Sequence, residues 1–227
     1  MGGLGRPRVH LRETTSTNDR ARALAGAGAP HGTLVTAGAQ SAGRGRQGRT
    51  WTAPPGRALL LSLLLREYDP LLPLRGGLAV AELAGAAARV KWPNDVLVEG
   101  RKLAGVLVEA RPREGWAVLG IGVNVAVDPA ELPADVRDRA ATLARPPEAL
   151  EETLDELLAA LEQRLKEPAA ESLAALRARD ALRDRAIRWN GGAGTGAGID
   201  DAGGLLVRLA DGSVTTLDSG EVHLGTA

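Results

Sequence analysis

The chain has 227 residues, a formal net charge of +0 and a pI of about 6.9, so it has length for one large domain with a small appendage and carries no global field to steer it to nucleic acid or an anionic bilayer. Cysteine is absent, which excludes disulfides, thiolate metal sites and a cysteine nucleophile, and accords with a reducing cytosol. The longest apolar stretch, Ala58 to Leu65, is broken by Ser62 and is too short to span a membrane, and Met1 to His10 lacks the apolar run of a signal peptide. A cytoplasmic protein that spans no membrane is the expectation.

In chain order, Ser16-Thr17-Asn18-Asp19 before an alanine- and leucine-rich stretch to Leu24 reads as a capped helix start. Gly32 to Gln40 is short and β-branched, which predicts a strand. Arg57 to Arg66 predicts a strand covered on both faces. Leu78 to Arg89, rich in alanine, predicts a helix packed on that sheet. Asp95 to Val98, a Glu99-Gly100 turn and Leu103 to Glu109 predict a hairpin, and Trp116 to Val127 continues the sheet. Composition changes after Asp128. Leu150, Leu154, Leu157, Leu158, Leu161 and Leu165 fall at helical spacing until Pro168, and a second helix follows over roughly Glu171 to Arg183. From Ala186 short strands alternate with turns at Asp200–Gly204 and Asp211-Gly212, which predicts a small β-barrel. The domains expected are therefore 1–183 and 184–227.

Residues 43–49 read Gly43-Arg44-Gly45-Arg46-Gln47-Gly48-Arg49, with Trp51 two positions on. Glycines let backbone N–H groups approach a ligand, and guanidinium groups fork onto phosphate or carboxylate oxygens. The run implies a loop that closes over a small anion. A disordered Gly-Arg tail that binds RNA is the alternative, opposed by net neutrality and by only four Trp, one Tyr and no Phe for base stacking. Of 28 basic residues only Lys91, Lys102 and Lys166 are lysines. In a chain this rich in arginine, two lysines eleven residues apart either mark places that need a compact point charge or are there by chance.

Five segments line up: Ser16-Thr17-Asn18; Gln40 with the 43–49 loop and Trp51; Lys91-Trp92-Pro93-Asn94-Asp95; Arg101-Lys102-Leu103-Ala104-Gly105; and Gly120-Ile121-Gly122-Val123-Asn124. In this order and spacing the chain resembles the biotin protein ligases, from about Glu13 to the C-terminus. The resemblance implies an α/β (α+β) fold: a mixed-sheet catalytic domain of the class II synthetase and biotin–lipoate ligase type, followed by a small SH3-like β-barrel. It implies that biotin and ATP form biotinyl-5′-AMP and pyrophosphate, and that biotin then passes to one lysine of a biotin carboxyl carrier protein. A lipoate or octanoate transfer protein shares the catalytic fold, but the intact Gly-Arg loop and Lys91–Asp95 segment favour the biotin reading.

Residue by residue, the resemblance places Ser16, Thr17, Asn18, Gln40, Gly43, Arg44, Gly45, Arg46, Lys102 and Gly105 at biotin. Helix capping is the plain alternative for Ser16 to Asn18, and the two roles can coexist. Lys102 and Arg46 are the expected catalytic groups, beside the carboxyl and the α-phosphate where charge builds. Arg49, Trp51, Lys91, Asn94, Asp95 and Asn124 are placed on the ATP side; core packing is the alternative for Trp51. Mg²⁺ is implied there, with Asp95 its one candidate ligand, directly or through water. A tryptophan that packs on adenine in some relatives aligns with Leu176. Many relatives carry an N-terminal DNA-binding unit, but here only twelve residues precede Glu13, so no DNA binding is expected. Monomer and homodimer both stay open.

Overall fold

Alternating and continuous apolar runs dictate a sheet with helices on both faces, and a computed structural model, which describes residues 3–225, has that form. The first part runs β1 (Arg8–Leu11), α1 (Thr17–Gly26), β2 (Leu34–Ala37), β3 (Ala58–Leu65), α2 (Leu72–Leu83), β4 (Ala88–Lys91), β5 (Asp95–Val98), β6 (Arg101–Arg111) and β7 (Trp116–Asn124). Its seven strands order as β1-β2-β3-β7-β6-β5-β4, with β1 parallel to β2 and every other pair antiparallel. Short α3 (Ala134–Arg137) and the longer α4 (Leu150–Lys166) and α5 (Ala169–Ala178) follow. The last part is a five-stranded antiparallel sheet of β8 (Ala186–Trp189), β9 (Gly192–Ile199), β10 (Leu205–Arg208), β11 (Val214–Leu217) and β12 (Val222–Leu224).

Every residue of β3 is buried because the sheet is covered twice. Leu59, Leu61, Leu63 and Leu65 enter the main core with Leu72 and Leu78 of α2 and Leu154, Leu157 and Leu161 of α4. On the other face Leu64 meets Ala21 and Ala25 of α1 together with Val35, Trp116 and Val118. Because successive residues of a strand face opposite ways, Ser62 shares the α1 face with Leu64. The second sheet adds Ile187, Leu205, Val207 and Val222 to the main core, so the two sheets share one apolar cluster.

Several boundaries differ from the sequence reading, for identifiable reasons. Helix α2 starts at Leu72 and not Leu78, and Arg89 belongs to β4. Glycine disfavours helix in general, yet a Cβ at Gly76 would lie 3.1 Å from Leu119 and one at Gly77 3.3 Å from Val90, so the pair lets the helix lie close on the sheet. Helix α5 ends at Ala178, because the chain turns into a bridge in which Val90 donates to Arg179 O at 2.8 Å and Ala181 donates to Val90 O at 3.0 Å. Strand β1 carried no sequence signal. Leu176 is 2% exposed in the main core.

Under the sheet, Arg75 (5% exposed) ties three helices together. It donates to Asp69 at 2.6 Å, to Glu167 O at 3.1 Å and to Ser172 Oγ at 2.8 Å. Arg164 donates twice to the Glu167 carboxylate at 2.8 Å and also pairs with Glu82. Burial pushes the Glu167 carboxyl up, but the bonds from Arg164 and Ser172 outweigh it and hold the group below the usual carboxylate range. A carboxyl depressed in the folded state stabilises above its unfolded pKa, and that contribution is lost as pH falls through the folded pKa. Glu167→Gln is therefore expected to lower stability at pH 7 by about 2 kcal/mol, with the gap to wild type closing below about pH 4. Denaturant melts at several pH values check this; a gap independent of pH would contradict it.

Candidate active site

On the α1 face, β6 and β7 present Gly105, Gly120 and Gly122 where neighbouring strands present side chains, leaving a bare floor. Two of these glycines are required by what lies on them. A Cβ at Gly120 would stand 2.1 Å from Asn18 Oδ1, and one at Gly122 2.5 Å from the Trp51 ring. The cleft above the floor has a volume of about 790 Å³, within the range of small-molecule sites.

One end of the cleft is neutral and polar. The start of α1 puts Ser16, Thr17 and Asn18 there, 2 to 4% exposed. Ser16 stands at the N-cap of α1, where the sequence places the helix start, but makes no side-chain capping bond and lines the cleft instead. Gln40 Oε1 accepts from Thr17 N at 2.8 Å and Thr17 Oγ1 at 3.2 Å. Ser62 Oγ lies 2.8 Å from Thr17 Oγ1 and 2.6 Å from Asn18 Oδ1. Ser62 was missed as a site residue, although its signal was present: the one hydroxyl in an otherwise apolar strand.

The other end is cationic. Lys102 Nζ lies 2.7 Å from Asp95 Oδ1, an ion-pair distance with poor hydrogen-bond alignment, and 5.7 Å from the Trp51 ring centroid. Gly105 leaves room for this stack, since a Cβ there would lie 3.3 Å from Lys102 Nζ. Lys91 Nζ is 3.9 Å from the same carboxylate. Burial pulls the Lys91 pKa down, with Asp95 opposing the shift and Lys102 adding to it. Burial likewise lowers Arg46, opposed by Asp95 and Glu221. Four cations, Arg46, Arg49, Lys91 and Lys102, thus face two carboxylates, Asp95 and Glu221. This excess of positive charge suits an anionic ligand.

Residues 43–51 cross the mouth of the cleft. Gly45 N donates to Arg49 O at 2.7 Å, Trp51 N donates to Gly43 O at 2.9 Å, and Gln47 takes a left-handed conformation at the tip (φ 53°). A Cβ at Gly43 would lie 2.4 Å from Trp51 O, so the base of the loop admits only glycine. Arg46 donates to Gly220 O at 3.1 Å and Arg49 pairs with Glu221, both in the turn between β11 and β12, while Trp92 Nε1 donates to Gly203 O at 3.0 Å. Arg44 takes another course, pairing with Glu109 and Asp19, each at 2.8 Å. Asn94 Nδ2 donates to Val106 O at 3.1 Å, and Asn124 Nδ2 donates to Ala141 O at 2.9 Å.

The sequence reading did not anticipate Glu109, Gly220 and Glu221, nor the stretch from Leu132 to Ala140. Lys102 N donates to Arg139 O at 2.6 Å and thereby draws that stretch against the cleft. Leu132, Val136 and Ala140 are its apolar lining. Leu176, aligned with an adenine-packing tryptophan of some relatives, lies outside the cleft in the main core and does not take that tryptophan's place there. The implied Mg²⁺ does not find a built site. Asp95 is already flanked by two ammonium groups, and no set of three metal-ligating side chains occurs among the described residues.

The model of the biotin/lipoate A/B protein ligase family matches residues 11–126, just over half of the chain. The bifunctional ligase/repressor BirA of Bacillus subtilis (strain 168) is 37% identical over 154 residues, which are 63% of this chain and 47% of that protein. The biotin–[acetyl-CoA-carboxylase] ligase of Mycobacterium tuberculosis is 41% identical over 138 residues, 54% of this chain and 51% of that one. The chain thus spans about half the length of these relatives. The biotin protein ligase from Aquifex aeolicus, solved in complex with biotin and ATP, superposes with a TM-score of 0.83 at 29% identity, covering 98% of this chain and 100% of that one. With its five motifs gathered on one cleft, and with the family model ending just past the last of them, the chain belongs to the biotin/lipoate A/B protein ligase family.

Proposed function

We propose that the chain is a biotin protein ligase: it joins biotin to ATP and passes the biotinyl group to a lysine of a carrier protein. One observation carries this reading, the polarity of the cleft. A neutral end of hydroxyls and amides suits a ureido ring, and a cationic end on the same floor suits a carboxylate meeting a triphosphate. The names of the relatives, and the biotin and ATP in the Aquifex aeolicus structure, support the same substrates.

In this reading Ser16, Thr17, Asn18 and Gln40 hold the biotin head group, and Lys102 and Arg46 meet its carboxylate. A carboxylate oxygen attacks the α-phosphorus, the bond to the bridging oxygen of the β-phosphate breaks, and pyrophosphate leaves. Bringing two anions together is the barrier, and preset cations lower it without reorganising. Arg49, Lys91 and Asn94 lie where the phosphates would sit, with Asn124 and the Leu132–Ala140 stretch toward the nucleoside. An uncharged carrier amine then attacks the acyl carbon, releasing AMP and a proton. Residues 184–227 close the nucleotide side in this proposal, through Glu221 and Gly220.

The test is incubation with biotin, ATP as its magnesium salt and a biotin carboxyl carrier domain from the same organism. The expected result is a single biotinyl mass increment on the carrier, dependent on both small substrates. A carrier left unmodified while its lysine is accessible would count against the reading.

A further inference from the structure

The Glu109 carboxylate on β6, 23% exposed and bonded to the cleft residue Asn18, accepts hydrogen bonds from three directions. Asn18 Nδ2 donates to Oε2 at 2.8 Å, Arg44 Nη2 donates to the same oxygen at 2.8 Å, and Arg22 Nη1 donates to Oε1 at 3.1 Å. Asp19 completes the group by pairing with Arg22 and Arg44, so two carboxylates balance two guanidinium groups. We infer that Glu109 is a positioning residue, one that ties the orientation of the Asn18 amide to the placement of the Gly-Arg loop. The inference rests on the biotin reading above and adds a residue and a coupling to it.

Two consequences follow from the chemistry of a carboxylate. An ionised carboxylate only accepts, so it draws the Asn18 NH₂ toward itself. The remaining Nδ2 proton faces Leu107 O at 3.4 Å, and Oδ1 is turned to Ser62 and the Gly120 floor. Asn18 therefore presents an acceptor to the cleft, the polarity that a ureido N–H requires. A glutamine at 109 offers both a donor and an acceptor, and so would not impose this orientation. The second consequence concerns the loop. Charge-assisted bonds to Glu109 and Asp19 anchor Arg44, one residue after Gly43 and two before Arg46. Neutralising Glu109 leaves Arg44 and Arg22 sharing Asp19 alone, and the loop loses its hold on β6.

The experiment is calorimetric titration of biotin into wild type, Glu109→Gln, Arg44→Gln and the double variant, each first shown to be folded by circular dichroism. KM for ATP and tryptic cleavage after Arg46 or Arg49 are measured beside it. Each single variant should weaken biotin binding about tenfold, with KM for ATP changed by less than about threefold and cleavage faster. The double variant should be no worse than the weaker single, because both act through one contact. Arg44→Gln alters only a loop side chain, so its tenfold loss and faster cleavage carry the test if Glu109→Gln does not fold. Wild type that binds biotin while Glu109→Gln binds it equally well would overturn the role of Glu109 alone. Losses that add in the double variant would overturn the coupling, and wild type that binds no biotin would overturn the reading beneath it.

Discussion

Lys102→Ala is expected to lose biotin adenylation by about 10²-fold or more, the scale of removing one charge-stabilising donor from an enclosed site. The geometry makes the lysine hard to replace. Its ammonium sits between the Asp95 carboxylate at 2.7 Å and the Trp51 ring, over a floor opened by Gly105. Loss of the ammonium also weakens the hold on Asp95, leaving its negative charge beside the incoming anions with Lys91 and Arg46 to offset it. Lys102→Arg should be nearly as poor, because a planar fork is broader than the gap between Trp51 and Asp95 and cannot act as a point charge between two anions. Single-turnover formation of biotinyl-AMP measures the step. An arginine variant with near-wild-type rates would show that any fixed positive charge suffices.

Gly120→Ala should abolish most biotin binding while sparing ATP. The added methyl would stand 2.1 Å from Asn18 Oδ1 and 2.9 Å from Asn18 Cγ. Asn18 can shift only by breaking bonds, since Ser62, Glu109 and Leu107 O hold its amide. The N-terminus of α1 must then shift or Asn18 must abandon its network, at a cost of about 1–3 kcal/mol in stability. A biotin Kd raised by about 10²-fold, or about 2.7 kcal/mol, is the expected result. ATP binding close to wild type by equilibrium titration would assign the loss to the head-group end. Equal loss for both ligands would instead point to general damage to the sheet.

Much of this was legible in the sequence because particular residues admit few alternatives. The Ala58–Leu65 run had to be a doubly covered strand, and the Glu99-Gly100 turn had to join two strands. The five motifs, scattered along the chain, come together on one cleft. Departures arose where a residue serves a distant neighbour. Gly76 and Gly77 look like helix breakers until the sheet beneath them is seen. Arg44 looks like a ligand contact within its loop, but its partners are 25 and 65 positions away, at Asp19 and Glu109. Glu221 carries no local pattern at all, and only folding brings it to Arg49. Leu176 stands where some relatives carry an adenine-packing tryptophan, and its burial in α5 keeps it away from the cleft.

Biotin-dependent exchange of labelled pyrophosphate into ATP, with lipoate as the matched control, tests the central claim most directly. It reads the reversal of adenylation and needs no carrier protein. The head-group pocket of Thr17, Asn18 and Gln40, and the cations around Lys102, predict exchange with biotin and none above background with lipoate. Exchange driven by lipoate and not by biotin would contradict the account.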